Sequence, residues 1–217
     1  MARRVASNGS GAGPGSNASL KQRVEALEEA LGQHGQETQR RFRNMLAMIR
    51  AIIRQTGEDV DDLEDYRAQL EGRIASFTRV QSLLLSDYEA GADLFTLVAD
   101  EVLLAGLDND AVICIGESAQ LSAPAVSLFA LLTHELVHVA AVEAQPGQRH
   151  PLASLSREIS DREHGRFLCI HWHQHHRSRK RTESAAFSWI EDALVYELGA
   201  KIERIEQDGG LPRSYVI

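Results

Sequence analysis

An apolar repeat near the N-terminus constrains the fold of this chain more than any other feature. Its members recur in steps of four and three residues: Leu20, Val24, Leu27, Leu31, His34, Thr38, Phe42, Met45, Ile49 and Ile52. Such steps place the side chains along one stripe of an α-helix, as in the seam of a coiled coil. The hydroxyl of Ser19 can cap the first turn, with Gln22 completing a capping box. We therefore predict a long helix from Ser19 to about Gln55.

A second repeat follows a short turn predicted at residues 56–59. Its members are Leu63, Tyr66, Leu70, Ile74, Phe77, Val80 and Leu84. We predict a second helix that folds back on the first as an antiparallel hairpin. Each helix has an apolar stripe wider than one partner can cover, so two hairpins from two chains are expected to form a four-helix bundle. The chain is therefore predicted to be a homodimer.

The residues before this repeat differ sharply in composition. Residues 7–19 read SNGSGAGPGSNAS, which is too poor in apolar side chains to offset the entropy of ordering. We interpret residues 1–18 as a disordered tail. Arg3 and Arg4 precede no apolar run, so the tail does not have the pattern of a secretory signal.

Charge and hydropathy exclude several classes of partner. The net charge of −8 argues against a protein that binds the phosphate backbone of nucleic acids, which needs a basic face. The longest apolar stretch, residues 128–142, is interrupted by three polar residues and falls short of the roughly 20 residues needed to cross a bilayer. Cys114 and Cys169 stand far apart and suggest no disulfide framework. We expect a cytoplasmic protein without membrane or nucleic acid partners.

From Gly91 onward the pattern changes to a mixture of helices and strands. We predict helices at 93–104, 123–143 and 187–198, and strands at 111–115, 165–173 and on either side of 208–210. The expected class is α+β. Its two domains would be a helical hairpin at residues 19–90 and a sheet with helices on one face at residues 91–217.

Several short strings, in this order and spacing, resemble the HWE subfamily of sensor histidine kinases. They are RRFRNMLA at 40–47, VQSLLL at 80–85, GADL at 91–94, LSAPA at 121–125, HEL at 134–136, Trp172, YELG at 196–199 and QDG at 207–209. The resemblance implies a dimerisation hairpin that carries the phosphoacceptor, followed by an ATPase-like α/β sandwich of the Bergerat type. It also implies a place in a two-component pathway, such as a general stress response.

The first departure from the family lies at the phosphoacceptor. Arg40 stands at the position where the family carries its phosphorylated His. A guanidinium stays protonated and has no nucleophilic lone pair, so Arg40 cannot accept a phosphoryl group. His34 is the nearest alternative, almost two turns earlier on a seam position. We therefore assign no catalytic residue, while phosphotransfer through a non-standard His remains an alternative.

Further departures affect nucleotide binding. His138 stands where the resemblance implies an Asn that holds Mg²⁺, and imidazole suits Mg²⁺ poorly. The subfamily's Trp-x-Glu becomes Trp172-His-Gln174, and HHRSRKR at 175–181 and AAFS at 185–188 replace its adenine-binding and lid segments. We expect no cofactor and doubt ATP and Mg²⁺ binding. Glu135, His138 and Trp172 would form a vestigial nucleotide face.

A zinc hydrolase is the second alternative. Residues 134–138 read HELVH, an HExxH pattern in which His134 and His138 could bind zinc and Glu135 could activate water. Glu158, twenty residues further on, is spaced like a third ligand. The resemblance already accounts for His134 and Glu135, so a single replacement at residue 138 would create the pattern by accident. The histidines at 171, 173, 175 and 176 are better explained as a solvated strand and loop.

The first predicted helix also carries a candidate docking surface. In the family this surface binds the receiver domain of a response regulator. The corresponding residues here are Arg40, Arg43, Asn44, Ala47, Met48, Arg50 and Ala51. Arginines could pair with the acidic phosphorylation pocket of a receiver. The resulting hypothesis is a dimeric pseudo-histidine-kinase that binds a response regulator or an active kinase.

Overall fold

The structure is a computed structural model that describes residues 14–60, 62–86, 90–144, 151–162, 165–175, 185–204 and 213–216. Several predicted features lie outside the described residues: the tail up to residue 13, most of the segment 175–181 and the turn at 208–210. The chain divides into two compact units, residues 1–50 and residues 51–217.

The first helix, α1, spans Pro14–Asp59 and is longer than predicted at both ends. It begins at Pro14 rather than Ser19, since proline is well suited to the first helical position. Residues 14–18, which we had included in the tail, therefore belong to the helix. The turn predicted at residues 56–59 is also wrong, because Thr56 is buried within the helix and its hydroxyl donates to the carbonyl of Ile52 at 2.7 Å.

The part of α1 that belongs to the first unit leaves its apolar stripe uncovered. Four stripe residues are each more than half exposed: Leu20, Val24, Leu27 and Leu31. An exposed apolar stripe of this length is what a coiled-coil seam looks like in a single chain.

Helix α2 spans Leu63–Ser86 and packs antiparallel to a later helix, α4, which spans Ala123–Glu143. Gln81 near the end of α2 donates to Ser127 near the start of α4 at 2.8 Å. The α2 repeat residues Phe77, Val80 and Leu84 are buried. The chain's own fold thus covers this half of the repeat, and the predicted four-helix bundle remains a prediction.

The remaining elements form a mixed α/β body. They are β1 Ala92–Asp93, α3 Leu94–Leu104, β2 Val112–Ile115, β3 Gln120–Leu121, β4 Ala153–Arg162, β5 Gly165–Gln174, α5 Ala185–Leu198, β6 Lys201–Arg204 and β7 Arg213–Val216. The larger sheet has the order β2-β4-β5-β7-β6, in which only the β2–β4 pair is parallel. The predicted combination of helices and a sheet is confirmed, while a Bergerat-type sandwich stays a more specific prediction.

Strand β4 is the main element that the sequence did not predict. It pairs with β5 along ten residues, and Leu155 lies opposite Trp172. Its sequence, ASLSREISDR, places few apolar residues on its buried side, so its alternation is weak. Pairing with a strongly apolar neighbour, rather than its own pattern, makes this segment a strand.

Helix α4 forms the centre of the core. By length and hydropathy the helix could cross a membrane, but 67% of its apolar 18-residue segment is buried inside the fold. Its apolar residues contact α2, α3 and α5. The helix is therefore accounted for as the core helix of this body.

Candidate functional site

The most unusual site in the body is a buried ion pair between α2 and α4. Both nitrogens on one edge of the Arg73 guanidinium contact the Glu135 carboxylate, at 2.6 and 3.2 Å. A third nitrogen donates to the hydroxyl of Thr56 at 2.8 Å. The side chains of Arg73 and Glu135 are each only 5% exposed. A bidentate, desolvated pair of this kind fixes both the position and the orientation of its partners.

A second buried carboxylate, that of Glu101 on α3, lies beside this pair. It accepts hydrogen bonds from the Ser76 hydroxyl at 2.8 Å and from Arg79 at 2.6 Å, and the Nδ1 atom of His134 lies 3.0 Å away. Burial raises the pKa of Glu101, but the hydrogen bonds from His134, Arg79 and Ser76 outweigh it, so this pKa lies below the usual 4.5. Glu101 is therefore held in its charged form.

The two carboxylates border a cavity of about 610 Å³ between α2, α3 and α4. Its lining combines the polar groups above with an apolar rim that includes Ala68, Leu104 and Val142. Gly72, which also lines the cavity, lies with its backbone close to the His134 ring. A Cβ atom added at Gly72 would lie 3.0 Å from the ring carbon Cε1, so this approach favours glycine.

His134 and His138 lie on the same side of α4, facing this cavity. Their rings are nearly parallel, 12° apart, with centroids separated by 6.3 Å. Partial burial lowers the pKa of His138 below its usual 6.5, and the positive charge of Arg73 acts in the same direction. His138 is therefore mainly neutral at pH 7.

The structure gives the zinc alternative no support. Glu135, the residue that would activate water, is instead bound by Arg73. The predicted third ligand Glu158 is an exposed residue of β4, opposite Cys169 on β5. Within the described residues, no group of three or more His, Cys, Asp or Glu side chains is arranged to hold a metal ion.

The residues predicted as a vestigial nucleotide face lie on two elements. Glu135 and His138 line the cavity on α4, whereas Trp172 is 1% exposed within the sheet. Two residues beyond Trp172, Gln174 donates to the Glu143 carboxylate at 2.6 Å. A glutamate at this position, as the subfamily has, would put two carboxylates in contact. The amide therefore matches its local surroundings here.

On α1, Arg40, which we predicted to stand at the family's phosphoacceptor position, contacts a residue of its own helix. The Arg40 guanidinium contacts Glu37 through two nitrogens, at 2.8 and 2.7 Å, and Arg41 contacts the same carboxylate at 2.9 Å. These hydrogen bonds lower the pKa of Glu37 to about 2. His34, the alternative acceptor, is exposed on the same helix.

The other predicted docking residues are also accessible along α1. Arg43, Asn44, Ala47 and Arg50 are exposed, whereas Met48 and Ala51 are half-buried. Steps of three and four residues place such positions along one side of a helix.

The sequence did not predict the buried Arg73 and Ser76 or the half-buried Arg79 of α2. Arg73, Ser76 and Arg79 follow one another at intervals of three, between apolar residues that we assigned to a seam. A charged residue inside an apolar stripe is a usable signal for a buried pair, but its partner on a distant helix is not visible in the sequence. A similar pair elsewhere, Arg213 with Glu191 at 2.8 Å, was missed for the same reason.

Comparison with known proteins relates the chain to one family. A family model described as HWE histidine kinase matches residues 37–117. Among solved structures, the chain is similar to the Erythrobacter litoralis EL346 blue-light activated histidine kinase, with a TM-score of 0.56 and 13% identity over 82% of this chain. It spans only 58% of that kinase.

The histidine kinase domain of the same Erythrobacter protein gives a TM-score of 0.47 and 12% identity, covering 80% of this chain and 94% of the domain. A search of curated protein sequences gives no significant match. Over residues 37–117 the sequence is similar to the HWE histidine kinase family, and the fold of the chain is similar to that of a histidine kinase.

Proposed function

We propose that this protein is a cytoplasmic, dimeric pseudo-histidine-kinase that binds a response regulator receiver domain, or an active kinase, and modulates phosphoryl transfer between them. The observation that carries the proposal is the identity and surroundings of Arg40. This residue lies inside the segment matched by the histidine kinase model and has no nucleophilic lone pair. Its guanidinium is, in addition, bound by Glu37.

The nucleotide-binding side supports the same conclusion. The Glu135 carboxylate on the HEL segment is bound to Arg73 in a buried pair, so it is committed to α2. Gln174 is likewise bound to Glu143. Each of these residues has a protein partner that a nucleotide or metal ion would have to displace, at the cost of a buried charge or amide left unpaired.

The exposed side of α1 is the proposed docking surface. Arg40, Arg43 and Arg50 place three guanidinium groups along about three helical turns. Guanidinium groups bind carboxylates with bidentate geometry, and a receiver phosphorylation pocket is rich in carboxylates. Before docking, Arg40 is bound to Glu37. A carboxylate of the docking partner must therefore compete with Glu37 for Arg40.

Labelling and binding experiments test the proposal together. We expect no acid-labile label on the chain after incubation with labelled ATP or with a phosphorylated receiver. Phosphohistidine at any position would contradict the loss of catalysis. The affinity for the organism's purified receivers is measured by titration calorimetry. In the double variant Arg40→Ala/Arg43→Ala this affinity should fall at least tenfold. Arg67→Ala, which removes an exposed arginine from α2, is the matched control and should leave affinity unchanged.

A second candidate function is phosphotransfer through a non-standard histidine. The exposure of His34 on α1 favours it, because a phosphoacceptor must be accessible. His34→Asn discriminates the two functions. Under this alternative the wild-type chain would carry a label that the variant loses, whereas under the pseudokinase proposal neither chain carries one.

A further inference from the structure

Helix α2 is attached to the body by a row of polar side chains. Arg73, Ser76 and Arg79 lie at intervals of three residues and meet acceptors on two different elements. Arg73 contacts Glu135 of α4, while Ser76 and Arg79 contact Glu101 of α3. The attachment therefore combines this polar row with the buried apolar residues Phe77, Val80 and Leu84 of the same helix.

Such polar contacts contribute more to the specific position of α2 than to the free energy of unfolding. Removing charged groups from water cancels most of the attraction of a buried pair, and apolar replacements of similar volume are often equally stable or more stable. Displacing α2 by one turn would leave Glu135 buried without the Arg73 charge and would remove the contacts of Ser76 and Arg79 with Glu101. Only one position of α2 satisfies both.

The packing around these groups is incomplete. The cavity lies between the N-terminal half of α2 and the ends of α3 and α4, so α2 is in close contact near Gln81 but separates from the body near Ala68. Leu104 and Val142 at the rim are 61% and 69% exposed. A helix with an open space beneath one half and a charged contact at its middle can detach without unfolding the sheet.

We propose that α2 is a detachable regulatory helix, and that the contacts of Arg73, Ser76 and Arg79 with Glu101 and Glu135 form a latch that holds it against α3 and α4. In the latched state α2 covers the side of α4 that carries Glu135. Release of the latch uncovers this side of α4 and the apolar α2 residues Phe77, Val80 and Leu84 together. The proposal concerns motion of α2 and does not depend on receiver binding.

Native-state hydrogen exchange on the full chain at pH 7, followed by mass spectrometry, tests the latch. Glu135→Gln keeps the side-chain shape but leaves the Arg73 charge buried without its counter-ion. We expect amides of residues 67–84 to exchange at least tenfold faster in this variant, while those of β4 and β5 stay within about twofold. Equal acceleration in α2 and in the sheet would overturn the proposal, because the pair would then be an ordinary part of the global core.

Two further variants separate a latch from a general loss of stability. Arg73→Met/Glu135→Leu replaces the pair with apolar groups, and α2 exchange should return to the wild-type rate or fall below it. Exchange as fast as in Glu135→Gln would refute the latch. Glu191→Gln perturbs the comparable buried pair with Arg213, so it should accelerate exchange near α5 and β7 without selective exposure of α2.

Discussion

The exposed stripe of α1 makes a quantitative prediction about dimer formation. Leu27 and Leu31 are 63% and 71% exposed in the single chain. Full burial of a leucine side chain is worth roughly 1.5–3 kcal/mol, so burial of the exposed part of each contributes about 1 kcal/mol. Two leucines in each of two chains therefore contribute about 4 kcal/mol to association. This sum uses the lower end of the range for burial of a leucine side chain.

Leu27→Gln/Leu31→Gln should remove this contribution while keeping the helix, because glutamine has nearly the helix propensity of leucine. A loss of about 4 kcal/mol corresponds to a dissociation constant weaker by roughly 10³. Sedimentation equilibrium over a range of micromolar concentrations measures this constant directly, and circular dichroism checks that helix content is unchanged.

The control changes an equally exposed leucine outside the stripe. Leu85 near the end of α2 is 88% exposed, and Leu85→Gln should leave the dissociation constant within about twofold of wild type. The reasoning is refuted if the double variant dimerises as tightly as wild type. It is also refuted if the wild-type chain is a monomer at micromolar concentration.

Three further predictions concern the body of the protein. Arg213→Met removes the positive counter-charge of the buried Glu191 carboxylate and should lower the free energy of unfolding in urea by about 3–5 kcal/mol. Because the pKa of His138 is lowered in the folded state, the unfolded chain binds more protons near pH 6, so stability should fall as pH drops below 6.5. This decline should be smaller in His138→Gln, and an identical pH profile would contradict the assignment. Gln174→Glu places a second carboxylate against Glu143 and should cost about 1–3 kcal/mol at pH 7, less in acid where carboxylates are protonated. A melting temperature independent of pH in this variant would argue against that contact.

Periodicity predicted the elements whose own sequences carry a strong signal. Helix α4 lies at the predicted residues, because a long, mainly apolar segment that begins with Pro124 in its first turn carries a strong signal for a core helix. Helix α5 ends as predicted at Leu198, where Gly199 adopts a φ of +66°. Strand β4 was missed because its partner, and not its own pattern, determines its structure. Local sequence carries no information about such pairing.

The site was predictable only in part, for a similar reason. HEL at 134–136 lies on α4, and the family pattern singled out Glu135 as part of a vestigial nucleotide face, which stays a prediction. What Glu135 contacts depends on Arg73, which is 62 residues away along the chain. Hydrophobic periodicity predicts which side of a helix is buried, but not which element covers it. Arg73 was therefore not singled out in the sequence, although it lies beside the predicted seam residue Ile74 and pairs with a distant carboxylate.

This distinction changes how the predicted dimer should be understood. The two apolar repeats look equivalent in the sequence, and both were expected to contribute to a four-helix bundle. In the second unit, however, the C-terminal half of the α2 repeat is covered by the chain itself, with Phe77 and Val80 each 1% exposed. In the first unit, the repeat of α1 remains exposed from Leu20 to Leu31. We therefore expect α1 to contribute the apolar stripe to a dimer, whereas the buried residues Phe77 and Val80 of α2 could join an interface only if α2 moved away from α4.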